Sequence, residues 1–215
     1  MVLIGPPGAG KGTQANRLEE ALSIGNLSTG ALLRDAITSD SELGKEAKVL
    51  VEGGNFVPDD IIIALVSARI DEPDCAEGFI LDGFPRTLPQ AKALDEILEA
   101  RESKVDAVIE FELDDKIVVE RITGRFSCKK CHEGYHKAHK LPAVEGVCDS
   151  CGGTEFEQRA DDSEEKIRTR LALYHEQTEP ILPYYERRGI LHSLDSTEEL
   201  DDVTGQLKEV LASLN

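Results

Sequence analysis

The chain has 215 residues, of which 40% are hydrophobic and 31% are charged, a composition typical of a globular protein with one sizeable domain. Its 42 acidic and 24 basic side chains give a formal net charge of −18. This charge argues against nucleic acid or an anionic membrane as the main partner, because both attract Lys and Arg. No run of 18 apolar residues and no secretion signal occur, so we expect a cytoplasmic protein without a membrane span.

The first predicted element is a short buried strand over residues 2–5, followed by a glycine-rich loop, GPPGAGKGTQ, over residues 5–14. A helix is predicted to start near Lys11. This order predicts a phosphate-binding loop, in which backbone N–H groups and the positive end of the helix surround an anion. Gly12 stands where such loops usually carry Ser or Thr, and Thr13 follows one position late. A tight turn with a solvent-facing lysine is the alternative interpretation.

Further along the chain, Ser28 and Thr29 are expected to cap a helix. Strands and helices then alternate, which predicts an α/β fold with a mainly parallel sheet and right-handed crossovers. The long helix predicted over residues 161–188 is expected to break near Pro180 or Pro183. The predicted strands cover residues 78–85, 105–113 and 189–194, and the predicted helices cover residues 42–51, 60–70, 89–101, 114–122, 161–188 and 198–214.

Two segments do not fit the alternation of strands and helices. Residues 28–57 are predicted to contain only helix and turn, and residues 121–159 contain four of the five cysteines. Both segments are predicted to be insertions on an α/β core that comprises residues 1–27, 58–120 and 160–215.

The clustered cysteines form two C-x2-C pairs, Cys128 with Cys131 and Cys148 with Cys151, whereas Cys75 stands alone. In a cytosolic chain this spacing predicts a zinc ribbon in which four thiolates close a structural site. Disulfides or free thiols are the alternatives. A zinc ribbon also raises the hypothesis of a nucleic-acid-binding module, which the negative charge and the aromatic content of 5% oppose. The neighbouring histidines are expected at the surface: His132, His136 and His139.

Five segments resemble the signature motifs of adenylate kinases, in the order in which that family carries them. They are GPPGAGKGTQ (5–14), LSTGALLR (27–34), GFILDGFPRTLPQA (78–91), ERITGR (120–125) and QRADDSEEKIRTRL (158–171). The resemblance covers essentially the whole chain, and the cysteine segment is similar to the long lid of the zinc-binding bacterial type. It implies the P-loop nucleoside monophosphate kinase fold, with an AMP-binding domain at 28–57 and a zinc-binding lid at 121–159.

The resemblance also implies the reaction, which is reversible transfer of the terminal phosphoryl group of Mg·ATP to AMP, giving two ADP. The implied role is adenine nucleotide homeostasis, and the implied cofactors are Mg²⁺ with ATP and a structural Zn²⁺. A monomer is expected because one chain can build both nucleotide sites. A kinase for another nucleoside monophosphate stays open as the alternative.

The resemblance assigns site residues in three overlapping sets. The set implied for ATP is Gly8, Ala9, Gly10, Lys11, Gly12, Thr13, Arg121 and Arg159. The set implied for AMP is Thr29, Arg34, Asn55, Phe56, Val57, Gly83, Phe84, Pro85, Arg86, Gln90, Arg159 and Arg170. The set implied for catalysis is Lys11, Asp82, Arg86, Arg121, Arg125, Arg159 and Arg170.

These residue types suit phosphoryl transfer, which needs positioning and positive charge more than covalent chemistry. Arginine grips phosphate with two parallel hydrogen bonds. Asp82 is expected to orient Mg²⁺ through water, and the amide of Gln90 can face both N1 and N6 of adenine. Ala31 departs from the family, which usually has Asp there, and Asp35 could take over that charge.

Overall fold

The computed structural model describes residues 1–38, 42–53, 55–158 and 161–214. The strands are β1 (Val2–Ile4), β2 (Gly25–Ser28), β3 (Phe79–Asp82), β4 (Val108–Glu112), β5 (Arg125–Cys128), β6 (Gly134–His136), β7 (Phe156–Glu157) and β8 (Leu191–Asp195). The helices are α1 (Lys11–Leu22), α2 (Thr29–Thr38), α3 (Glu42–Glu52), α4 (Asp59–Ile70), α5 (Leu88–Glu99), α6 (Asp115–Thr123), α7 (Glu164–Leu173), α8 (Leu182–Glu186) and α9 (Leu200–Ser213).

The main sheet has five parallel strands in the order β2-β3-β1-β4-β8, which confirms the predicted fold class. Both faces of this sheet are covered. Val2 and Ile4 pack with α4 and α5 on one face, whereas Leu3 packs with α1 and α9 on the other. The continuous apolar run of β1 follows from this arrangement, because a central parallel strand is buried on both sides.

The parallel register brings the carboxyl ends of β1 and β3 to the same edge of the sheet. Leu3 lies opposite Asp82, so the end of β3 lies beside the glycine-rich loop that follows Ile4. Open parallel sheets bind ligands at this edge. The loop and Asp82 therefore lie where a ligand is expected.

The cysteine-containing segment forms a second sheet, antiparallel and ordered β6-β5-β7. Its small core consists of Phe126, Tyr135 and Phe156, whose ring centroids lie 5.5 to 5.6 Å apart, together with cysteine side chains. Leu141, another large apolar residue of this segment, is 66% exposed and adds nothing to that core. The segment thus has few apolar contacts of its own.

The structure corrects two predictions about local structure. Residues 25–28 form β2 at the edge of the sheet, where no strand was predicted, so Ser28 lies at the end of a strand. Thr29 does not cap a helix with its side chain, because its Oγ1 donates to the backbone oxygens of Asp82 and Gly83. The predicted break in the helix over residues 161–188 is present. It begins with a π-helical turn at Tyr174–Thr178, before Pro180.

Among the described residues, no helix is both long and apolar enough to cross a membrane.

One buried polar group gives a test of this packing. The hydroxyl of Tyr185 is buried and has no hydrogen-bond partner among the described residues. An unpaired buried hydroxyl costs about 1–3 kcal/mol. We therefore expect Tyr185→Phe to leave the free energy of unfolding in urea unchanged or to raise it by up to about 1 kcal/mol.

The neighbouring Tyr184 is the matched control, because its hydroxyl donates to the carboxylate of Asp95. Tyr184→Phe should lower the free energy of unfolding by about 1 kcal/mol. Equal losses of stability in the two variants would show that Tyr185 has a partner.

Candidate active site

The glycine-rich loop adopts a backbone that requires its glycines. Gly8 and Gly10 have φ values of +79° and +88°, in the left-handed region. A Cβ on Gly8 would lie 2.8 Å from Cγ1 of Ile122. The loop leads directly into α1, so its N–H groups and the helix N-terminus face the same space.

Lys11 is held within this loop. Its ammonium group donates to the backbone oxygens of Gly5 and Pro6, both at 2.8 Å. Burial lowers the pKa of Lys11 to about 8, since the opposing effect of Asp82 is smaller and Arg86 lowers the pKa further. A lysine with its pKa depressed in this way gains from binding an anion, which restores the preference for the charged form.

Gly12 leaves room for a carboxylate. A Cβ at this position would lie 3.3 Å from Oδ2 of Asp82, which is closer than most Cβ contacts. An acidic side chain therefore lies beside the position where such loops usually carry a hydroxyl. Carboxylate oxygens are ligands that suit Mg²⁺.

A cleft of about 1140 Å³ opens at this edge of the sheet. Besides Arg69, which is ion-paired with Asp74, five arginines from different parts of the chain line it together with Lys11. They are Arg34, Arg86, Arg121, Arg125 and Arg170. Arg159 lies outside the described residues. Acidic side chains line the cleft as well, so its lining is close to neutral in a chain whose net charge is −18.

Two of these arginines are held by acidic residues that were not assigned a role from the sequence. Asp162, only 2% exposed, accepts from Nε and a terminal nitrogen of Arg125 at 2.9 and 2.5 Å. Arg170 donates to Asp161 at 2.6 Å. Burial lowers the pKa of Arg170, and the charge of Arg125 acts in the same direction. The signal was present in the sequence, because both acids lie in the QRADDSEEKIRTRL motif.

Arg86 is fixed by its own loop and by an aromatic ring. Its Nε donates to the backbone oxygen of Gly83 at 2.7 Å, and its guanidinium lies 5.0 Å from the ring centroid of Phe56. Burial lowers the pKa of Arg86 to about 10, and the nearby charge of Arg170 contributes. Arg86 is therefore pre-positioned for an anion.

The described residues among those predicted to bind AMP divide into two groups. Those that line the cleft are Arg34, Asn55, Phe56, Val57, Gly83, Pro85, Arg86 and Arg170. Those buried outside its lining are Thr29, Phe84 and Gln90. The hydroxyl of Thr29 is bonded to backbone oxygens, and the amide of Gln90 is bonded to Arg86 and to Asp59, which was not predicted.

Among the residues predicted to bind ATP, residues 8–13 and Arg121 all line the cleft. Burial lowers the pKa of Arg121, whose guanidinium donates to the backbone oxygen of Thr197 at 3.4 Å. Residues 134–136 of the small antiparallel sheet and residues 196–200 also line the cleft, although the sequence motifs indicated none of them. They lie outside the motifs from which the site was predicted.

The four clustered cysteines converge, with all four sulfur atoms within 4.8 Å of one another. Sγ of Cys128 lies 3.6 Å from Sγ of Cys151, and Sγ of Cys131 lies 3.5 Å from Sγ of Cys148. Four thiolates bound to one Zn²⁺ at about 2.3 Å would be about 3.8 Å apart, so the cluster fits this ion. All four are free thiols, as is the separate Cys75.

The three nearby histidines are not part of the cysteine cluster. His132 and His139 are exposed, as expected. His136 is half-buried, because its ring occupies the space that a Cβ on Gly124 would fill.

Comparison with known proteins agrees with this geometry. The family model described as "Adenylate kinase" matches residues 3–190. The adenylate kinase of Allorhizobium ampelinum is 48% identical over 214 residues, which cover 100% of this chain and 99% of that protein. The adenylate kinase of Paramagnetospirillum magneticum is 50% identical over 211 residues, covering 98% and 97%. The chain therefore belongs to the adenylate kinase family, whose members are ATP:AMP phosphotransferases.

Proposed function

We propose that the cleft transfers the terminal phosphoryl group of Mg·ATP to AMP, giving two ADP, and that the residues described above divide this work. The observation that carries the proposal is the convergence of Lys11 and five arginines on one cleft in an acidic chain. The transferring phosphoryl group carries negative charge on its peripheral oxygens, and fixed cations stabilise that charge without covalent chemistry.

The glycine-rich loop binds the phosphates of ATP. Residues 8–13 supply N–H groups, Lys11 supplies a mobile cation, and Arg121 lies beside core residues 196–200 at the same end of the cleft. Mg²⁺, which arrives with ATP, neutralises phosphate charge, and Asp82 would orient it. Ala31 lines the cleft without a carboxylate, whereas Asp161 and Asp162 are bonded to Arg170 and Arg125.

The remaining arginines act at the transferring group and at AMP. Arg125 and Arg170, held by Asp162 and Asp161, stabilise the phosphoryl group in transfer, and Arg159 joins them. Arg34 and Arg86, which both line the cleft, would grip the phosphate of AMP. The full AMP-contacting set is the one given by the sequence motifs, with Gln90 reading the base.

We propose a division into domains that corresponds to these two nucleotide sites. Residues 28–57 bind AMP and residues 121–159 form a lid, both carried by the core sheet. Closure of both segments over bound nucleotides would exclude water, which otherwise competes with AMP for the phosphoryl group. One chain contains both nucleotide sites, so we propose a monomer in the cytoplasm that needs no nucleic acid.

We assign a structural Zn²⁺ to Cys128, Cys131, Cys148 and Cys151. The lid core contains only three aromatic rings, so the ion supplies stability that apolar packing does not. Four protein ligands leave no open position, and the ion takes no part in the reaction.

The first test of the phosphate-binding role is Lys11→Met. Losing this preorganised charge should lower kcat by at least ~10²-fold while the melting temperature stays close to that of the parent. Lys92→Met, an exposed change of the same kind on α5, is the control and should leave kcat unchanged. Turnover near the parental value in Lys11→Met would remove Lys11 from the mechanism.

The pH dependence of kcat/KM for Mg·ATP gives a second test, because this parameter reports the free enzyme. The pKa of Lys11 is lowered to about 8, so the lysine is charged below this pH and neutral above it. Affinity for phosphate is therefore present at low pH, and kcat/KM should fall as the pH rises through about 8. In Lys11→Arg the side chain stays charged, and this decline should disappear. A flat parental profile up to pH 10 would contradict the role of Lys11.

The metal proposal predicts one Zn²⁺ per chain by elemental analysis. Removing the ion, or replacing Cys128 and Cys131 by Ser, should lower the melting temperature and expose residues 126–156 to proteolysis first. Activity at low temperature should fall less than stability. The control is Cys75→Ala, which should keep the full zinc content. A chain without stoichiometric metal, or one that loses activity with an unchanged melting curve, would rule out a structural zinc.

A further inference from the structure

The side-chain amide of Gln90 is held in one orientation by two partners, one a hydrogen-bond donor and the other an acceptor. The backbone N–H of Arg86 donates to Oε1 at 2.7 Å, and Nε2 donates to Oδ1 of Asp59 at 2.6 Å. A backbone N–H can only donate, and a carboxylate can only accept. The oxygen and nitrogen of this amide are therefore assigned by chemistry.

Asp59 is itself fixed. Its other oxygen, Oδ2, accepts from Oγ1 of Thr87 at 2.9 Å, and Thr87 is the N-cap of α5, accepting from the backbone N–H of Gln90 at 3.3 Å. Asp59 is the first residue of α4, where the helix dipole favours a negative charge. Asp59 thus links the N-termini of two helices and presents an acceptor to Gln90, which is only 3% exposed.

A flipped amide at Gln90 would make two repulsive contacts. Its NH₂ group would face the N–H of Arg86, and its oxygen would face the carboxylate of Asp59. Gln90 is buried and both contacts are at least partly shielded from water, where mismatched polar groups are costly. The observed orientation is therefore strongly preferred.

After its two internal bonds, the amide keeps one N–H and one lone pair. This pair of groups complements adenine, whose N6 donates and whose N1 accepts. A 6-oxopurine has the reverse pattern, since O6 accepts and N1 donates. Reading an oxo base would require the flipped amide.

We propose that Asp59 is a positioning residue for base selection: with the backbone N–H of Arg86, it locks the amide of Gln90 and makes the site reject 6-oxopurine monophosphates. The proposal rests on the proposed function, in which Gln90 reads the base of AMP. Asp59 does not itself contact the base.

The test is Asp59→Asn, with AMP and inosine monophosphate compared as acceptors. These two nucleotides differ only at the N1–C6 edge of the base. Asn offers a donor as well as an acceptor, so it tolerates either orientation of Gln90. The ratio of kcat/KM for AMP to kcat/KM for inosine monophosphate should fall by at least ~5-fold, which corresponds to weakening one buried polar contact, while KM for Mg·ATP is unchanged.

A general loss of folded protein lowers both kcat/KM values equally and leaves this ratio unchanged. Asp60→Asn is the matched control, because it removes the same charge from the same turn at an exposed position. It should keep the parental ratio. Thr87→Val, which removes the hydroxyl that holds Asp59, is the second variant and should lower the ratio in the same direction.

Gln90→Ala distinguishes the locking role of Asp59 from base reading by Gln90. If Gln90→Ala lowers the ratio but Asp59→Asn and Thr87→Val do not, the lock is wrong and base reading by Gln90 stands. If Gln90→Ala keeps the parental ratio, Gln90 does not read the base, and the proposal falls with that part of the proposed function. If Asp60→Asn lowers the ratio as much as Asp59→Asn, the effect is one of charge, and the lock is also refuted.

Discussion

Mutual repulsion among cations is the constraint around which this cleft is built. Burial lowers the pKa of both Lys11 and Arg86; the charge of Arg86 lowers that of Lys11 further, and the charge of Arg170 lowers that of Arg86. Asp82, Asp161 and Asp162 offset part of the repulsion. Burial still keeps the pKa of Lys11 and Arg86 below its ordinary value, and a bound phosphate would favour their charged forms.

The acidic residues of the cleft therefore do more than balance charge. Asp162 is buried and bonded to Arg125 through two nitrogens, which fixes the plane of that guanidinium before any nucleotide binds. Preorganised groups of this kind stabilise developing charge without having to move during the reaction. The same principle recurs on the AMP side, where Asp59 and Gly83 hold Gln90 and Arg86.

Most of the core fold could be predicted because apolar runs of three or four residues mark β1, β3 and β4. β2 could not, since its sequence GNLS has one large apolar residue and its pairing is supplied by β3. In the same way the loop, Lys11 and the cysteine pairs were evident from spacing. Thr29 bonds to the backbone at the end of β3, and Gln90 bonds to Asp59 on α4; these contacts depend on which elements lie together, so the sequence motifs did not reveal them.

The aromatic trio of Phe126, Tyr135 and Phe156 shares its cluster only with the cysteines and with no residue of the sheet. Substitutions among these three rings are therefore expected to disturb the small antiparallel sheet before the packing of the main sheet. The small sheet could then lose its order while the scaffold that carries the phosphate-binding loop stays folded.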